Sequence, residues 1–353
     1  MIDVLVAGGG PAGLATAINA ALAGMEAVVV EPRPGPVDKA CGEGLMPTGA
    51  AALADLGVAV PDGRPFRGIR YVDGPQRVQA EFRDGPGLGV RRTALHTALA
   101  HRARDLGVRV VPGRVDAVHA AGEGVRAHVT GGPELPGPEL CGREFGARWL
   151  VAADGLHSPI RARLGLDLAS RGPRRYGLRR HYRIAPWTDF VEVHWAPGGE
   201  AYVTPVGDDL VGVAVLSSER RTYDEHLARF PDLLARLDGP PATPVRGAGP
   251  LRQRVRRRVA GRILLVGDAA GYVDALTGEG ISLALLSARA LVGCLMVGRP
   301  EEYENAWRRL SWRSRLLTAA LVRARRHPPA ARMIVPAARR LPAVFGAAVR
   351  SLA

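Results

Sequence analysis

The stretch "IDVLVAGGGPAGLATAINAALAG" at residues 2–24 decides how the chain begins to fold. Its short apolar run ends in glycines and is typical of a buried parallel strand. The alanine-rich run that follows has the spacing of a helix, which stops at Gly24, and "EAVVVEP" at 26–32 predicts a second strand. We therefore predict that the chain opens with a βαβ unit, the building block of an α/β fold with a parallel sheet.

The glycines of this turn follow the spacing Gly8-x-Gly10-x-x-Gly13, and Glu31 ends the second predicted strand. Glycine at these positions permits a tight turn and lets a pyrophosphate approach the backbone at the helix N-terminus. An acid at the end of the second strand can accept a hydrogen bond from a ribose hydroxyl. The pattern predicts a dinucleotide site; the alternative is a glycine turn that only packs helix against strand.

The composition of the 353-residue chain, 47% apolar, is typical of a globular protein with one large domain or two interlocked ones. Its cysteines, Cys41, Cys141 and Cys294, lie far apart, so we expect no disulfide framework, no metal site and a reducing cytoplasm as the location. We expect no membrane span, because no apolar run is long enough. The predicted strand directly after Met1 also argues against a signal peptide.

The net charge of +14 comes mainly from the C-terminal region. Residues 305–353 contain eleven arginines and neither Asp nor Glu, which leaves +3 for the first 304 residues. Because this charge belongs to a tail and not to a stripe along the chain, we expect no nucleic-acid partner. Trp307, Trp312 and Leu316 recur there at helical spacing. One hypothesis is a helix lying on an anionic membrane; the other is a helix packed on the protein with its arginines in water.

Segments with the hydrophobic patterns of helices and of strands alternate along the rest of the chain. "RRTALHTALAHRARDLG" at 91–107 predicts an amphipathic helix, and the alternation at 174–217 predicts an antiparallel sheet. "GRILLVGDAAG" at 261–271 returns to a buried parallel strand, and the residues after it are mostly helical. We predict a cofactor-binding domain of 1–70, 90–168 and 250–300, a substrate-binding antiparallel sheet domain of 71–89 and 169–249, and a basic helical region of 301–353.

Two further motifs carry acids beside glycines. "ADGLHSPIRARLG" at 153–165 contains Asp154, Gly155, Ser158 and Arg161. In "RILLVGDAAGYVDALTGEG" at 262–280, a predicted strand ends in Gly-Asp and can aim a carboxylate at a ribose or ribityl hydroxyl. The glycine-rich helix start that follows can present N–H groups to the pyrimidine edge of a flavin.

These motifs, in this order, resemble the FAD-dependent para-hydroxybenzoate-hydroxylase-like superfamily. The stretches "ACGEGLMP" at 40–47 and "GDAAGYVDALTGEGIS" at 267–282 are similar to those of its geranylgeranyl reductase branch, which includes hydroxylases of lipophilic or polyketide-derived compounds. The resemblance implies FAD and a Rossmann-like domain interleaved with an antiparallel sheet that roofs the flavin. It also implies that Arg92 contacts an FAD phosphate, with Arg91 as the competing residue.

The cofactor-binding residues that the motifs and the resemblance together predict are Gly8, Gly10, Pro11, Ala12, Gly13, Glu31, Arg33, Lys39, Cys41, Gly42, Arg92, Val115, Asp154, Gly155, Gly267, Asp268, Gly278, Glu279, Gly280 and Ile281. The catalytic candidates are Lys39, Cys41 and Tyr202.

Lys39 is the only lysine of the chain, so we expect it to offer a compact charge to FAD or substrate; the alternative is a chance survivor on a solvated loop. Cys41 is either active or a small packing residue. Glu43 is either functional or a solvated loop acid. His181 and His194 fall in the predicted substrate-facing sheet, where an ordinary hydrogen-bonded role is the more frequent one.

The resemblance implies an NAD(P)H-dependent monooxygenase that hydroxylates a lipophilic aromatic or polyketide-type metabolite with O₂ through a flavin C4a-hydroperoxide. The alternative is a reductase of isoprenoid double bonds. Prenyl reductases usually carry Tyr-x-Trp-x-Phe-Pro; the matching "AYVTPVG" at 201–207 keeps Tyr202 and Pro205 but has Val203 and Thr204 instead of Trp and Phe. A flavin-binding scaffold without turnover is the third hypothesis.

Overall fold

The computed structural model describes residues 1–60, 62–131, 142–170 and 172–352, so Cys141 lies outside the described residues. The strands are β1 (Ile2–Ala7), β2 (Ala27–Glu31), β3 (Gly44–Leu45), β4 (Arg64–Phe66), β5 (Gly68–Asp73), β6 (Gln76–Glu81), β7 (Gly87–Gly89), β8 (Arg109–Pro112), β9 (Arg114–Ala121), β10 (Gly124–Thr130), β11 (Arg143–Ala152), β12 (Asp167–Leu168), β13 (Tyr176–Arg183), β14 (Phe190–Ala196), β15 (Gly199–Pro205), β16 (Leu210–Ser217), β17 (Arg246–Ala248), β18 (Arg254–Val255), β19 (Val259–Ala260) and β20 (Ile263–Leu265). The α-helices are α1 (Pro11–Leu22), α2 (Pro47–Asp55), α3 (Arg92–Asp105), α4 (Pro159–Arg163), α5 (Tyr223–Leu227), α6 (Pro231–Leu234), α7 (Gly280–Met296), α8 (Glu302–Arg325), α9 (Pro328–Arg340) and α10 (Pro342–Arg350).

The first sheet has the strand order β19-β20-β11-β1-β2-β8, with the β9–β10 hairpin joined to β11. Strands β20, β11, β1, β2 and β8 run parallel to one another. The central strands are apolar and buried, as Val4, Leu5 and Val6 of β1 show, because helices cover the sheet. The predicted βαβ opening and the parallel sheet are therefore confirmed.

The second sheet has the strand order β17-β13-β16-β15-β14-β5-β6 and is antiparallel except between β14 and β5. One face packs against α5 and α6, where Val203 and Val213 contact Phe230. The other face carries Val193 and Tyr202. The antiparallel sheet expected at 174–217 is confirmed by β13 to β16, whereas the domain boundaries stay a prediction.

The C-terminal helices pack against both sheets. In α8, Tyr303 donates a hydrogen bond to the Leu265 carbonyl (3.1 Å), and the ring of Trp307 lies 3.9 Å from the Arg258 guanidinium. Val349 of α10 joins the apolar cluster of the second sheet, and the Phe345 ring lies 4.8 Å from that of Tyr71. The tail thus buries one apolar face on the protein. Within the described ranges, no helix has both the length and the apolar character needed to cross a bilayer.

Candidate active site

A cavity of about 550 Å³ is lined by residues of both sheets and of the C-terminal helix. Its volume lies in the range of small-molecule sites. Many of its walls are backbone of the glycine motifs, and the remaining walls are a group of cations, a few acids and a set of apolar side chains. Each of these groups restricts what the cavity can bind.

The glycine turn before α1 forms one wall. A Cβ on Gly13 would lie 1.8 Å from the Gly8 carbonyl oxygen, and one on Gly8 would lie 2.5 Å from the Ala153 oxygen, so larger residues are excluded. Helix α1 begins at Pro11 after Gly10, which provides no side-chain cap. The free N–H groups of its first turn therefore remain available to an anion in the cavity.

Four arginine and lysine side chains line the same cavity: Arg33, Lys39, Arg92 and Arg179, the last of which is paired with Asp38. The Lys39 Nζ lies 3.5 Å from the position of a Cβ on Gly155, and an Arg92 Nη lies 3.8 Å from that of a Cβ on Gly10. Lys39 opens onto the cavity but is surrounded by protein atoms, and this burial, together with Arg33 and Arg92, lowers the pKa of its ammonium. The Arg92 Nε is buried without a partner. The charges of Lys39 and Arg92, together with that of Arg33, fit a pyrophosphate.

Asp154 and Asp268 are the acids of the predicted glycine motifs, and both line the cavity. One Asp154 oxygen accepts the Ile160 N–H at 3.1 Å, and the other is buried without a partner. Burial raises the pKa of both carboxyl groups; for Asp268 the nearby Arg92 and Lys39 act in the opposite direction. These carboxylates fit the hydroxyl groups of a ribose or ribityl chain.

Arg161 joins the two motifs that carry these acids. Its guanidinium is buried and donates to the Ala269 carbonyl at 3.1 Å and to the Leu156 carbonyl at 3.0 Å. Ser158 caps α4 by accepting the Arg161 N–H. Motifs separated by about a hundred residues are thereby fixed to one another at the cavity.

The Glu31 carboxylate has hydrogen-bond partners within the protein that the sequence did not predict. One oxygen accepts the Gly9 N–H at 2.7 Å, and the other accepts the Arg33 Nε–H at 2.7 Å. Burial alone would raise its pKa, but these hydrogen bonds and the Arg33 charge lower it. Glu31 holds the glycine turn and orients Arg33, and its binding of a ribose hydroxyl stays a prediction.

Most of the predicted cofactor residues are brought together in the cavity wall: Gly10, Pro11, Ala12, Arg33, Lys39, Cys41, Gly42, Arg92, Asp154, Gly155, Gly267, Asp268, Gly278, Gly280 and Ile281. The predicted residues that do not line the cavity are Gly8, Gly13, Glu31, Val115 and Glu279. Val115 belongs to the apolar core around the first sheet. Glu279 lies just before α7, where burial raises its pKa to about 8 against hydrogen bonds from Thr277 and Ser314.

The loop around Cys41 is fixed by hydrogen bonds. The Thr204 hydroxyl donates to the Gly42 carbonyl at 2.8 Å, and the Cys41 Sγ accepts the Glu43 N–H at 3.4 Å. Burial raises the pKa of the Cys41 thiol, which therefore keeps its proton at neutral pH. The loop presents a protonated thiol to the cavity.

Glu43 is not the solvated loop acid of one sequence hypothesis. It is buried, its Oε2 lies 2.5 Å from the His181 Nε2, and its Oε1 accepts the Arg92 N–H at 2.8 Å. Its position between Gly42 and Gly44 was the one local signal that set it apart. His194, the other sheet histidine, is paired with Glu192 and does not line the cavity.

The rest of the cavity is apolar. Its walls include Ile69, Tyr71, Val191, Val193, Leu216, Leu251, Val349 and Leu352. The Tyr202 hydroxyl donates to the Leu276 carbonyl at 2.8 Å, and burial raises its pKa well above the usual value, so it remains a neutral donor. Tyr202 and Thr204 face the cavity, whereas Val203 lies in the cluster on the other face of the sheet.

Comparison with protein families matches residues 1–297 to a family described as "FAD binding domain". The chain is 32% identical to menaquinone reductase of Mycobacterium tuberculosis, over 81% of this chain and 74% of that protein. It is 30% identical to digeranylgeranylglycerophospholipid reductase 1 of Methanothermobacter thermautotrophicus, over 89% of this chain and 82% of that protein.

Among solved structures, p-nitrophenol 4-monooxygenase of Pseudomonas putida has the same fold. The TM-score is 0.80 at 20% identity, and the match covers 100% of this chain and 95% of that one. The match supports the arrangement of a parallel sheet, an antiparallel sheet and C-terminal helices.

Proposed function

The chain belongs to the FAD binding domain family and is an FAD-dependent oxidoreductase, and we propose that it reduces a carbon–carbon double bond of a lipophilic isoprenoid-type substrate with electrons from NADH or NADPH. The proposal rests on the residues of the cavity and on the named reductases to which the chain is similar.

FAD fits the cavity by the chemistry of its walls. Helix α1, Lys39 and Arg92 would hold the pyrophosphate, since the Arg92 Nε is buried without a hydrogen-bond partner, and Arg33, which is bound to Glu31, would add its positive charge. Asp268 and the unpartnered Asp154 oxygen would accept hydrogen bonds from sugar hydroxyls. The glycine-rich start of α7 leaves its first N–H groups without a side-chain cap, which suits a flavin ring that becomes anionic on reduction.

The observation that carries the proposal is the protonated Cys41 thiol in the wall of an otherwise largely apolar cavity. FAD, if bound here and reduced, would supply the hydride that such a reduction needs at one carbon of the double bond. Cys41 gives its proton to the other carbon, and the thiolate regains a proton from solvent. The two new C–H bonds thus account for the hydride and the proton, and NAD(P)H is the electron source.

The substrate is assigned by the apolar walls. Val191, Val193 and Leu251 offer aliphatic surface, and Val349 and Leu352 bring the C-terminal helix to the same cavity. Such walls suit an isoprenoid chain better than a charged metabolite. The relatives named as reductases of menaquinone and of digeranylgeranylglycerophospholipid fit this class.

Hydroxylation of a lipophilic aromatic or polyketide-type compound with O₂ is the second candidate. It is favoured by Thr204, which faces the cavity where prenyl reductases have an aromatic segment, and whose hydroxyl is bonded to the Gly42 carbonyl. A monooxygenase requires the same FAD and reductant, so the cofactor site does not separate the two reactions.

Turnover without oxygen separates them. Purified protein is incubated with FAD, NADPH and a panel of prenylated quinones, prenylated lipids and phenolic polyketides, with and without O₂, and the products are analysed by mass spectrometry. We expect a product that gains two hydrogens in the absence of O₂, and loss of that product in Cys41→Ala. A product that gains one oxygen, formed only with O₂, would replace the reductase proposal with hydroxylation.

The exposed side of the tail supports delivery of the substrate from a membrane. Trp312 and Leu316 are exposed on α8 beside Arg309 and Arg313, and the residues after Glu304 include no acid. Aromatic and aliphatic side chains beside arginines suit the surface of an anionic bilayer. We propose a cytoplasmic protein that contacts the membrane through this face.

A further inference from the structure

Glu43 combines burial with an unusual backbone. Of the residues that the structure describes, it is the sole non-glycine residue in the left-handed region, with φ 59°. Its exposed fraction is only 2%, and it lines the cavity. Side chains with a Cβ rarely adopt this conformation, and such outliers concentrate at functional sites. The contacts of the Glu43 carboxylate therefore indicate why this residue occupies a position that favours glycine.

The Glu43 carboxylate connects three elements. Its Oε1 accepts the Arg92 N–H at the start of α3 (2.8 Å), and its Oε2 lies 2.5 Å from His181 Nε2 on β13. The Glu43 carbonyl also accepts the Val90 N–H at 2.8 Å. The residue itself belongs to the loop that carries Cys41. One side chain thus joins the loop, the α3 N-terminus and the antiparallel sheet.

The surroundings of His181 assign its proton. An Arg179 Nη lies 3.1 Å from the His181 Nδ1, and the Thr243 hydroxyl lies 2.9 Å from the same atom. A guanidinium can only donate, so Nδ1 is an acceptor and the ring proton lies on Nε2. His181 therefore donates to Glu43. Because Arg92 also donates to it, Glu43 is held as a carboxylate that accepts on both oxygens.

We propose that Glu43 is a positioning residue for the cofactor. Together with His181 it holds the Cys41 loop and the backbone of Arg92 in the arrangement that FAD requires, and it places a negative charge, 3.8 Å from the Arg179 guanidinium, in the cavity wall. This charge opposes the gain of negative charge by the flavin on reduction and therefore lowers its midpoint potential. The inference rests on the proposed binding of FAD in this cavity.

The chain contains a matched control. Glu192 and His194 form a second buried Glu–His pair in the same sheet, with 3.1 Å between Oε2 and Nε2. Glu192 also accepts from Arg70 at 2.9 Å. These residues are absent from the wall of the cavity, within the ranges that the structure describes. Substitutions there remove similar interactions from the fold without touching the cofactor site.

The test compares Glu43→Gln with Glu192→Gln. The glutamine amide carries one acceptor oxygen, so either Arg92 or His181 must face its NH₂ group, donor against donor. FAD affinity is measured by titrating the apoprotein and following flavin fluorescence, and the midpoint potential by equilibration with a reference dye. We expect Glu43→Gln to bind FAD about ten- to a hundredfold more weakly and to raise the potential, whereas Glu192→Gln leaves both unchanged.

A second variant separates the effect of Glu43 on the position of the loop from the effect of its negative charge. His181→Leu keeps the carboxylate but removes the imidazole donor, so FAD affinity should fall while the potential changes less than in Glu43→Gln. It is measured also if Glu43→Gln does not fold. The double variant should bind FAD no more weakly than Glu43→Gln alone, because the two residues act as one unit.

Unchanged FAD affinity and potential in Glu43→Gln, unchanged affinity in His181→Leu, or equal losses in Glu192→Gln would overturn the inference while leaving the proposed function intact. A wild-type protein that does not bind FAD at all would overturn the proposed function and the inference together.

Discussion

Replacing Lys39 by alanine should weaken FAD binding about ten- to thirtyfold. A hydrogen bond from a charged group contributes about 1.5–3 kcal/mol. The loss should lie at the lower end, about 1.5–2 kcal/mol, because Arg33 and Arg92 already lower the Lys39 pKa and their repulsion is relieved when the ammonium is removed. Lys39→Arg should also lose affinity, since a larger guanidinium would crowd Arg33 and Arg92.

The assay is titration of the apoprotein with FAD at low and high salt. Arg77→Ala is the matched control, because it removes one exposed positive charge from β6 outside the cavity. The difference between Lys39→Ala and wild type should shrink at high salt, as expected for a charge that opens onto a solvent-filled cavity. Affinities within twofold of wild type for both Lys39 variants would refute the assignment of this ammonium to the pyrophosphate and make it a chance survivor on the loop.

Three further predictions concern other parts of the molecule. Glu31→Ala should weaken FAD binding by about 1–3 kcal/mol in the same titration, through loss of the bonds to Gly9 and Arg33; an unchanged affinity would contradict this role. The Glu279 pKa is raised from 4.5 to about 8, so the folded apoprotein holds a proton that the unfolded chain releases, and the melting temperature should fall as pH rises from about 4.5 to 8. Glu279→Gln should weaken this dependence of the melting temperature on pH, and an identical dependence in the variant would show that Glu279 is not its cause. Trp312→Ser with Leu316→Ser should reduce co-sedimentation with anionic vesicles at low salt, whereas Met296→Ser, at an exposed position outside the tail, should not; equal sedimentation of all three proteins would exclude the membrane face.

The sequence predicted the parts of the site that are encoded locally. Gly8, Gly10 and Gly13 follow a fixed spacing because three requirements fall within six residues: a tight turn, the approach of a pyrophosphate to the backbone, and close packing of the helix on the strand. Asp154 and Asp268 were found in the same way, since each closely follows a strand of the parallel sheet and the carboxyl ends of parallel strands meet at one edge.

The parts that depend on distant residues could not be predicted. Glu43 and His181 are 138 positions apart, and no local pattern relates a loop acid to a histidine in an antiparallel strand. The contribution of Val349 to the cavity depends on how α10 packs against Tyr71 and its neighbours. The hydrogen bond from Arg33 to Glu31 likewise depends on side-chain geometry, which the spacing of the residues in the sequence does not show.

The most direct test of the account is an experimental structure of the protein with FAD. We expect the pyrophosphate at the start of α1, within hydrogen-bond distance of the Ala12 N–H and the Lys39 ammonium, and the flavin beside the loop of Cys41. FAD density elsewhere, with this cavity left to solvent, would contradict the assignment of the cavity and the function proposed from it.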